Sequence, residues 1–185
     1  MNNPTLDSIF NRSSIRAYTA EPLTEDELKT LEQVALATPT AMNLQSQRYY
    51  FVTDKELIRD IELAVGEVIR EGDEQMYKNF TERGGKVMYD APLFVAVAID
   101  QSGRFSKVDA GIAVGALATA AQSMGLSSVI LGMPRMAFEG ARGAELSARL
   151  GIPEGLAFEI GIAIGHAAME KAPHESDPEH VKRVG

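Results

Sequence analysis

The chain has 185 residues, 45% of them hydrophobic and 24% charged, which is the composition of one globular domain able to hide roughly 70% of its unfolded surface. It has no cysteine and only three histidines (His166, His174 and His180), which excludes disulfides, thiolate metal sites and a cysteine nucleophile and disfavours a multi-histidine zinc centre. The net charge of -8 disfavours nucleic acid and anionic membrane as partners. The start, Met1-Asn2-Asn3-Pro4, lacks a basic stretch followed by an apolar run. The longest apolar segment, Gly111 to Ala121, is too short for a bilayer that needs about 20 residues. A cytoplasmic protein is expected.

Thr5 to Arg12 is predicted as a short helix, with Leu6, Ile9 and Phe10 on one face. Thr24 and Glu27 form a capping box ahead of a helix that keeps its period to Thr38 and stops at Pro39. Thr40 to Arg48 is an irregular loop. Tyr49 to Val52 is a strand. Asp54 caps a helix from Lys55 to about Val65, with Leu57, Ile58, Ile61 and Leu63 turned inward. Glu67 to Lys86 is the least defined part, helical around Glu74 to Phe80. Leu93 to Ile99 is a continuous apolar run, as for a central strand buried on both faces. Asp109 caps an Ala/Gly-rich helix to Met124, closed by Gly125. Ser127 to Leu131 is a strand, Glu139 to Leu150 a helix, and Ala157 to Ile164 the last strand. From His166 onward the chain is polar and coreless. The expectation is an α+β fold, a small central sheet covered by helices on both faces, with the tail packed on a partner subunit.

Three segments carry candidate chemistry. In Arg12-Ser13-Ser14-Ile15-Arg16, two guanidinium groups and two hydroxyls form a donor set suited to phosphate. In Pro39 to Arg48, small side chains precede amides (Asn43, Gln45) that can both donate and accept along a heteroaromatic edge. In Gly125 to Pro134, a strand ending in Gly-Met-Pro lets backbone approach a flat ligand. Each also reads as an ordinary turn or buried strand.

Taken in order, these segments resemble the nitroreductase family of FMN-dependent oxidoreductases. Arg12 to Arg16 is similar to its N-terminal Arg-x-Ser-x-Arg/Lys motif, Pro39 to Gln45 to its Pro-Ser-Ser-x-Asn-x-Gln-Pro-Trp loop, and Gly125 to Gly132 to its Gly-Leu-Gly strand. Leu150 to Gly155 and Ile164 to His166 are similar to its closing motifs. The departures are Ser46-Gln47 where the family has Pro-Trp, and Ser127 for the motif's second glycine.

The resemblance implies a single flavin-binding domain over residues 1–185 with the nitroreductase-like α+β fold. It implies an intertwined homodimer, each FMN touched by both subunits and the tail 166–185 reaching the partner. Arg12, Ser13 and Ser14 would hold the phosphate, and Arg16 would lie near the pyrimidine edge, where a fixed charge stabilises the reduced flavin. Ile130, Leu131 and Gly132 would line one ring face. Thr40, Ala41, Met42 and Asn43 would come from the other subunit, and Gln45 is a further cofactor-binding candidate. Lys171 and His174 are the tail's candidates for the phosphate, opposed by Glu175 and Asp177. No catalytic side chain is expected, because the cofactor carries the chemistry. The implied activity is NADH- or NADPH-driven, ping-pong reduction of nitroaromatic or quinone-like acceptors. Ene reduction, dehalogenation, flavin cleavage or flavin storage are the alternatives on the same fold.

Overall fold

The computed structural model describes residues 3–185. Helix α1 (Pro4–Asn11) opens on Asn3, whose side chain accepts from the Thr5 and Leu6 N–H groups. Helix α2 (Glu25–Ala37) carries the expected capping box: Glu27 N donates to Thr24 Oγ1 and Thr24 N to Glu27 Oε2. Strand β1 (Arg48–Val52) follows a single 3-10 turn at Ala41–Asn43.

Helix α3 (Lys55–Gly72) starts on Asp54 as expected but passes Val65 and runs to Gly72. Gly66 does not stop it. A Cβ there would lie 2.8 Å from Phe80 Cε1, so the glycine admits the next helix, α4 (Glu74–Glu82), against α3. Leu63, expected inward, is 48% exposed, because it sits on the edge of the helix that faces away from the sheet.

Strand β2 (Leu93–Ile99) is buried along its whole length. Its side chains alternate between two cores: Phe94 and Ala96 enter one, Leu93, Val95, Val97 and Ile99 the other. Helix α5 (Ser106–Ser123) begins three residues before Asp109, with Phe105 at its N-cap. Asp109 is therefore not the cap. It is a buried first-turn residue whose carboxylate is turned to another task, described below. Gly125, at φ 77°, ends the helix, and Leu126 N closes back on Ala121 O. Strand β3 (Ser127–Leu131) follows.

The helix expected over Glu139 to Leu150 is two helices, α6 (Arg135–Glu139) and α7 (Gly143–Leu150). The break lets Gly143 fold back so closely that a Cβ would stand 1.9 Å from the Phe138 carbonyl oxygen. The apolar period alone did not betray that turn. Strand β4 (Ala157–Gly165) closes the sheet.

All strand pairs are antiparallel, in the order β1-β2-β4-β3, with one register shift at Val97/Ala98. Helices α3, α4, α6 and α7 cover one face and α2 and α5 the other, which is the α+β sandwich expected. After a bridge from Tyr18 to Ala167, residues 167–185 are exposed throughout.

Candidate functional site

Four chain segments meet at one end of the sheet, where β2 and β3 begin and β4 ends. The Arg12–Arg16 segment crosses this end. Ile15 N donates to Ser128 O at 3.1 Å, and Ser14 bridges Ser128 in parallel. Ser128 already pairs with Ile164 on its other side, so the segment covers the outer edge of β3. It covers only the first half. Beyond it, Ile130 is 38% exposed and Gly132 is exposed, and no other strand or bridge occupies that edge among the described residues.

Tyr18 fixes the segment from below. Its buried hydroxyl donates to Ile15 O at 2.9 Å and lies 3.3 Å from Ala163 O. Burial pushes the phenol far above its ordinary value, so it stays a neutral donor. Ile15 is buried while Arg16, next to it, is exposed. The buried pair Ile15 and Tyr18 thus presents Arg12, Ser13, Ser14 and Arg16 outward. Neither Arg12 nor Arg16 joins an ion pair among the described residues, whereas Arg135, Arg142 and Arg149 do.

The Thr40–Gln45 loop is elsewhere. Ala41 N donates to Asp109 Oδ1 at 3.1 Å, which pins the loop to the first turn of α5. Gln45 N donates to Thr40 Oγ1, and Gln45 Nε2 to Asn43 Oδ1. Met42, Asn43 and Gln45 all adopt positive φ, a conformation costly to non-glycine residues. The sequence turns Met42 and Leu44 out to solvent, at 78% and 62% exposure. Arg12–Arg16 lies where α5 has passed into β3. From Asp109 to the end of α5 at Ser123 is about 21 Å along the axis. Within one chain, therefore, the loop and the arginine–serine segment do not meet.

Lys171 and His174 are exposed and make no hydrogen bond or ion pair among the described residues. They do not join the cluster in this chain. The tail does leave from beside it: Thr19 N donates to His166 O, and Ala168 N to Ala17 O.

Two residues with structural work, Asp109 at the far end of α5 and Glu62 at this end, have roles that sequence reading missed. Asp109 was taken for a cap because it stands ahead of an Ala-rich run. Glu62 of α3 accepts from Val87 N at 2.7 Å and Met88 N at 2.8 Å, and so holds the turn that leads into β2. Burial raises its carboxyl above the ordinary range against the opposite pull of those two donors. Glu62 is not among the residues expected inward on this helix, and no local pattern names its partners, 25 and 26 positions away.

The end of this sheet is thus an open edge flanked by unpaired cationic and hydroxyl donors, the make-up of a site for a flat anionic ligand. A model of the nitroreductase family matches residues 9–166, and the chain belongs to that family. The chain is 28% identical to an NADPH-flavin oxidoreductase of Vibrio harveyi, over 98% of this chain and 72% of that one. It is 27% identical to an FMN reductase (NADPH) of Bacillus subtilis strain 168, over 91% and 67%. Among solved structures, a nitroreductase with bound FMN from Desulfitobacterium hafniense DCB-2 superposes with a TM-score of 0.94 at 35% identity, with both chains fully covered.

Proposed function

We propose that this chain is an FMN-dependent oxidoreductase, driven by NADH or NADPH, that reduces nitroaromatic or quinone-like acceptors as a homodimer in the cytoplasm. The observation that carries the reading is the Arg12–Arg16 donor set, held on the open edge of β3 with neither arginine in an ion pair among the described residues. The residues fit the group. Arg12, Ser13 and Ser14 supply charged and hydroxyl donors for a terminal phosphate. The exposed stretch from Ile130 to Gly132 offers an apolar side chain and a backbone without a Cβ to a flat ring.

Held by Arg12, Ser13 and Ser14, FMN would supply hydride chemistry at N5 between a nicotinamide and a second substrate. The chain's residues bind, orient and polarise. Arg16, exposed and unpaired, places a fixed positive charge that favours the reduced, anionic ring. Tyr18 and Ile15 keep that charge in position. Membership in a nitroreductase family and the FMN named in the Desulfitobacterium relative support the assignment.

The dimer explains the distance between the two sequence motifs. The Thr40–Gln45 loop cannot reach the arginines of its own chain, but a second copy can bring its loop to them. The surface suits such a partner. Helix α5 is apolar around its circumference, with Val108 and Ile112 exposed, and Ile9 and Phe10 of α1 are exposed as well. A helix apolar all round is normally buried. A groove of about 600 Å³ between α1 and α5 is walled by small residues such as Gly115 and Ala116. Among the described residues no helix is long and apolar enough to cross a membrane.

The test is direct. The purified protein is expected to be yellow, to sediment as a dimer, to be bleached anaerobically by NADH or NADPH, and to be reoxidised by a nitroaromatic or a quinone. A chain that takes up no added FMN removes the reading. A yellow protein that neither nicotinamide reduces is a flavin-binding protein without turnover.

A further inference from the structure

Asp109 is 5% exposed and enters no ion pair among the described residues. A buried carboxylate is costly unless it is hydrogen-bonded, and the bond this one makes is to Ala41 N, 68 positions away. Among the described residues it is the one hydrogen bond that ties residues 40–45 to anything more distant than Arg48.

The other bonds of the loop are its own. Asn43 N donates to Thr40 O, Leu44 N to Ala41 O, and Gln45 N to Thr40 Oγ1. At the far side, Arg48 Nη1 donates to the carbonyls of Gln45, Ser46 and Gln47. From Ala41 to Gln45, Met42 N is the one backbone donor with no acceptor among the described residues. Without the Asp109 bond the loop keeps these internal closures and loses its fixed place on α5. The carboxylate therefore decides where the loop stands more than whether it folds.

The location of the anchor gives the direction of its effect. Val108 precedes Asp109 and Ile112 follows it by one turn; both are apolar and exposed, at 59% and 41%. The turn of α5 that offers an apolar face to a second copy is thus the turn that fixes the loop. The arginine–serine segment of the same chain lies past the other end of α5, about 21 Å away along the axis.

We propose that Asp109 is a positioning residue that acts across the subunit boundary: its carboxylate sets the Thr40–Gln45 loop where it closes the flavin site whose arginines belong to the other copy. The assignment rests on the function proposed above and adds a dependence to it. Each site needs the Asp109 of the chain that does not supply its Arg12.

The test is complementation between subunits, read as FMN affinity by quenching of flavin fluorescence. Asp109→Ala homodimers are expected to bind FMN about tenfold or more weakly, because the loop is no longer pre-organised. Asp109→Asn keeps an acceptor in the same place and is expected within about threefold of native; a loss as large as that of alanine overturns the role of the hydrogen bond. A mixed dimer of one Asp109→Ala chain and one Arg12→Ala chain, isolated through two different tags, is then titrated. In that dimer one site joins a native loop to native arginines and the other takes both defects. The expected titration has half the sites at native affinity and half weaker than in either variant homodimer. A purely structural defect cannot restore a native site in this way. A mixed dimer with no site of native affinity overturns the proposal, as does an Asp109→Ala homodimer of native affinity or a native protein that binds FMN as a monomer. Asp109→Ser, too short to reach Ala41, replaces the alanine variant where that does not fold. A native chain that takes up no FMN fails the flavin reading itself, so the two failures are distinct.

Discussion

Removing the Arg12 guanidinium is the most direct perturbation of the site. Arg12 is half-buried at the C-cap of α1 and has no ion-pair partner among the described residues. Its truncation therefore strands no buried carboxylate and leaves the fold's own contacts nearly intact. On the proposed function, what would be lost is one charged hydrogen bond to the flavin phosphate, about 1.5–3 kcal/mol. At about 1.4 kcal/mol per decade, that is roughly a ten- to hundred-fold weaker Kd. Arg12→Lys keeps the charge and loses the fork, so its effect falls between native and alanine. The assay is quenching of flavin fluorescence as apoprotein is titrated with FMN, with the thermal midpoint of the apoprotein as control. An Arg12→Ala protein with native midpoint and FMN affinity within threefold of native would refute the assignment of Arg12 to the phosphate.

Four further outcomes are expected. Glu62→Ala strands the Val87 and Met88 N–H groups and costs about 2 kcal/mol or more, a fall of about 4–8 °C in Tm by differential scanning calorimetry. Glu62→Gln keeps an acceptor and removes a desolvated charge. Because the fold raises this carboxyl, the native state binds the proton more tightly than the unfolded chain does, and stability falls as pH rises through the folded pKa. Glu62→Gln should therefore match or exceed the native Tm at neutral pH, with the gap closing in acid; parallel pH profiles would contradict the sign. Gly143→Ala places a Cβ on the Phe138 carbonyl and is expected to cost about 1–3 kcal/mol in urea unfolding, while an unchanged midpoint would show that the α6–α7 turn gives way freely. Ile112→Asp puts a charge on the exposed apolar face of α5 and should yield monomers in sedimentation that hold FMN poorly, whereas a dimer of native affinity would move the interface elsewhere.

What the sequence revealed was what local chemistry decides. The Thr24–Glu27 box, the Pro39 stop, the Gly125 turn and the buried run of β2 each depend on a few neighbouring residues, and each stands where it was expected. The errors came where a distant contact overrode a local signal. Asp109 has the look of a cap, but its carboxylate is taken by Ala41, 68 positions away. Gly66 sits within an otherwise regular helix because Phe80 needs the space. The periodicity of 139–150 hides a break imposed by the approach of Gly143 to Phe138. Long-range contacts of this kind leave no mark in a window of a dozen residues.

The candidate site shows the same division at a larger scale. Each motif could be read alone, and the structure joins two of them, Arg12–Arg16 and Ser127–Gly132, through one backbone bond from Ile15 to Ser128. The third motif is fixed to the far end of α5. Its separation is informative, because a loop built at such conformational cost, with three non-glycine residues at positive φ, is held by Asp109 in a shape that nothing in its own chain uses. Strain of that kind persists where the surroundings over-determine it and tends to gather at ligand sites. On the proposed function, a second copy of the chain would use it as the ligand's other wall. On this reasoning the acidic bulk charge and the basic pocket do not conflict. Net charge governs encounters with extended polyanions, whereas one phosphate is recognised by a few donors within hydrogen-bond reach, and Ile15 and Tyr18 set those donors outward on the edge of β3.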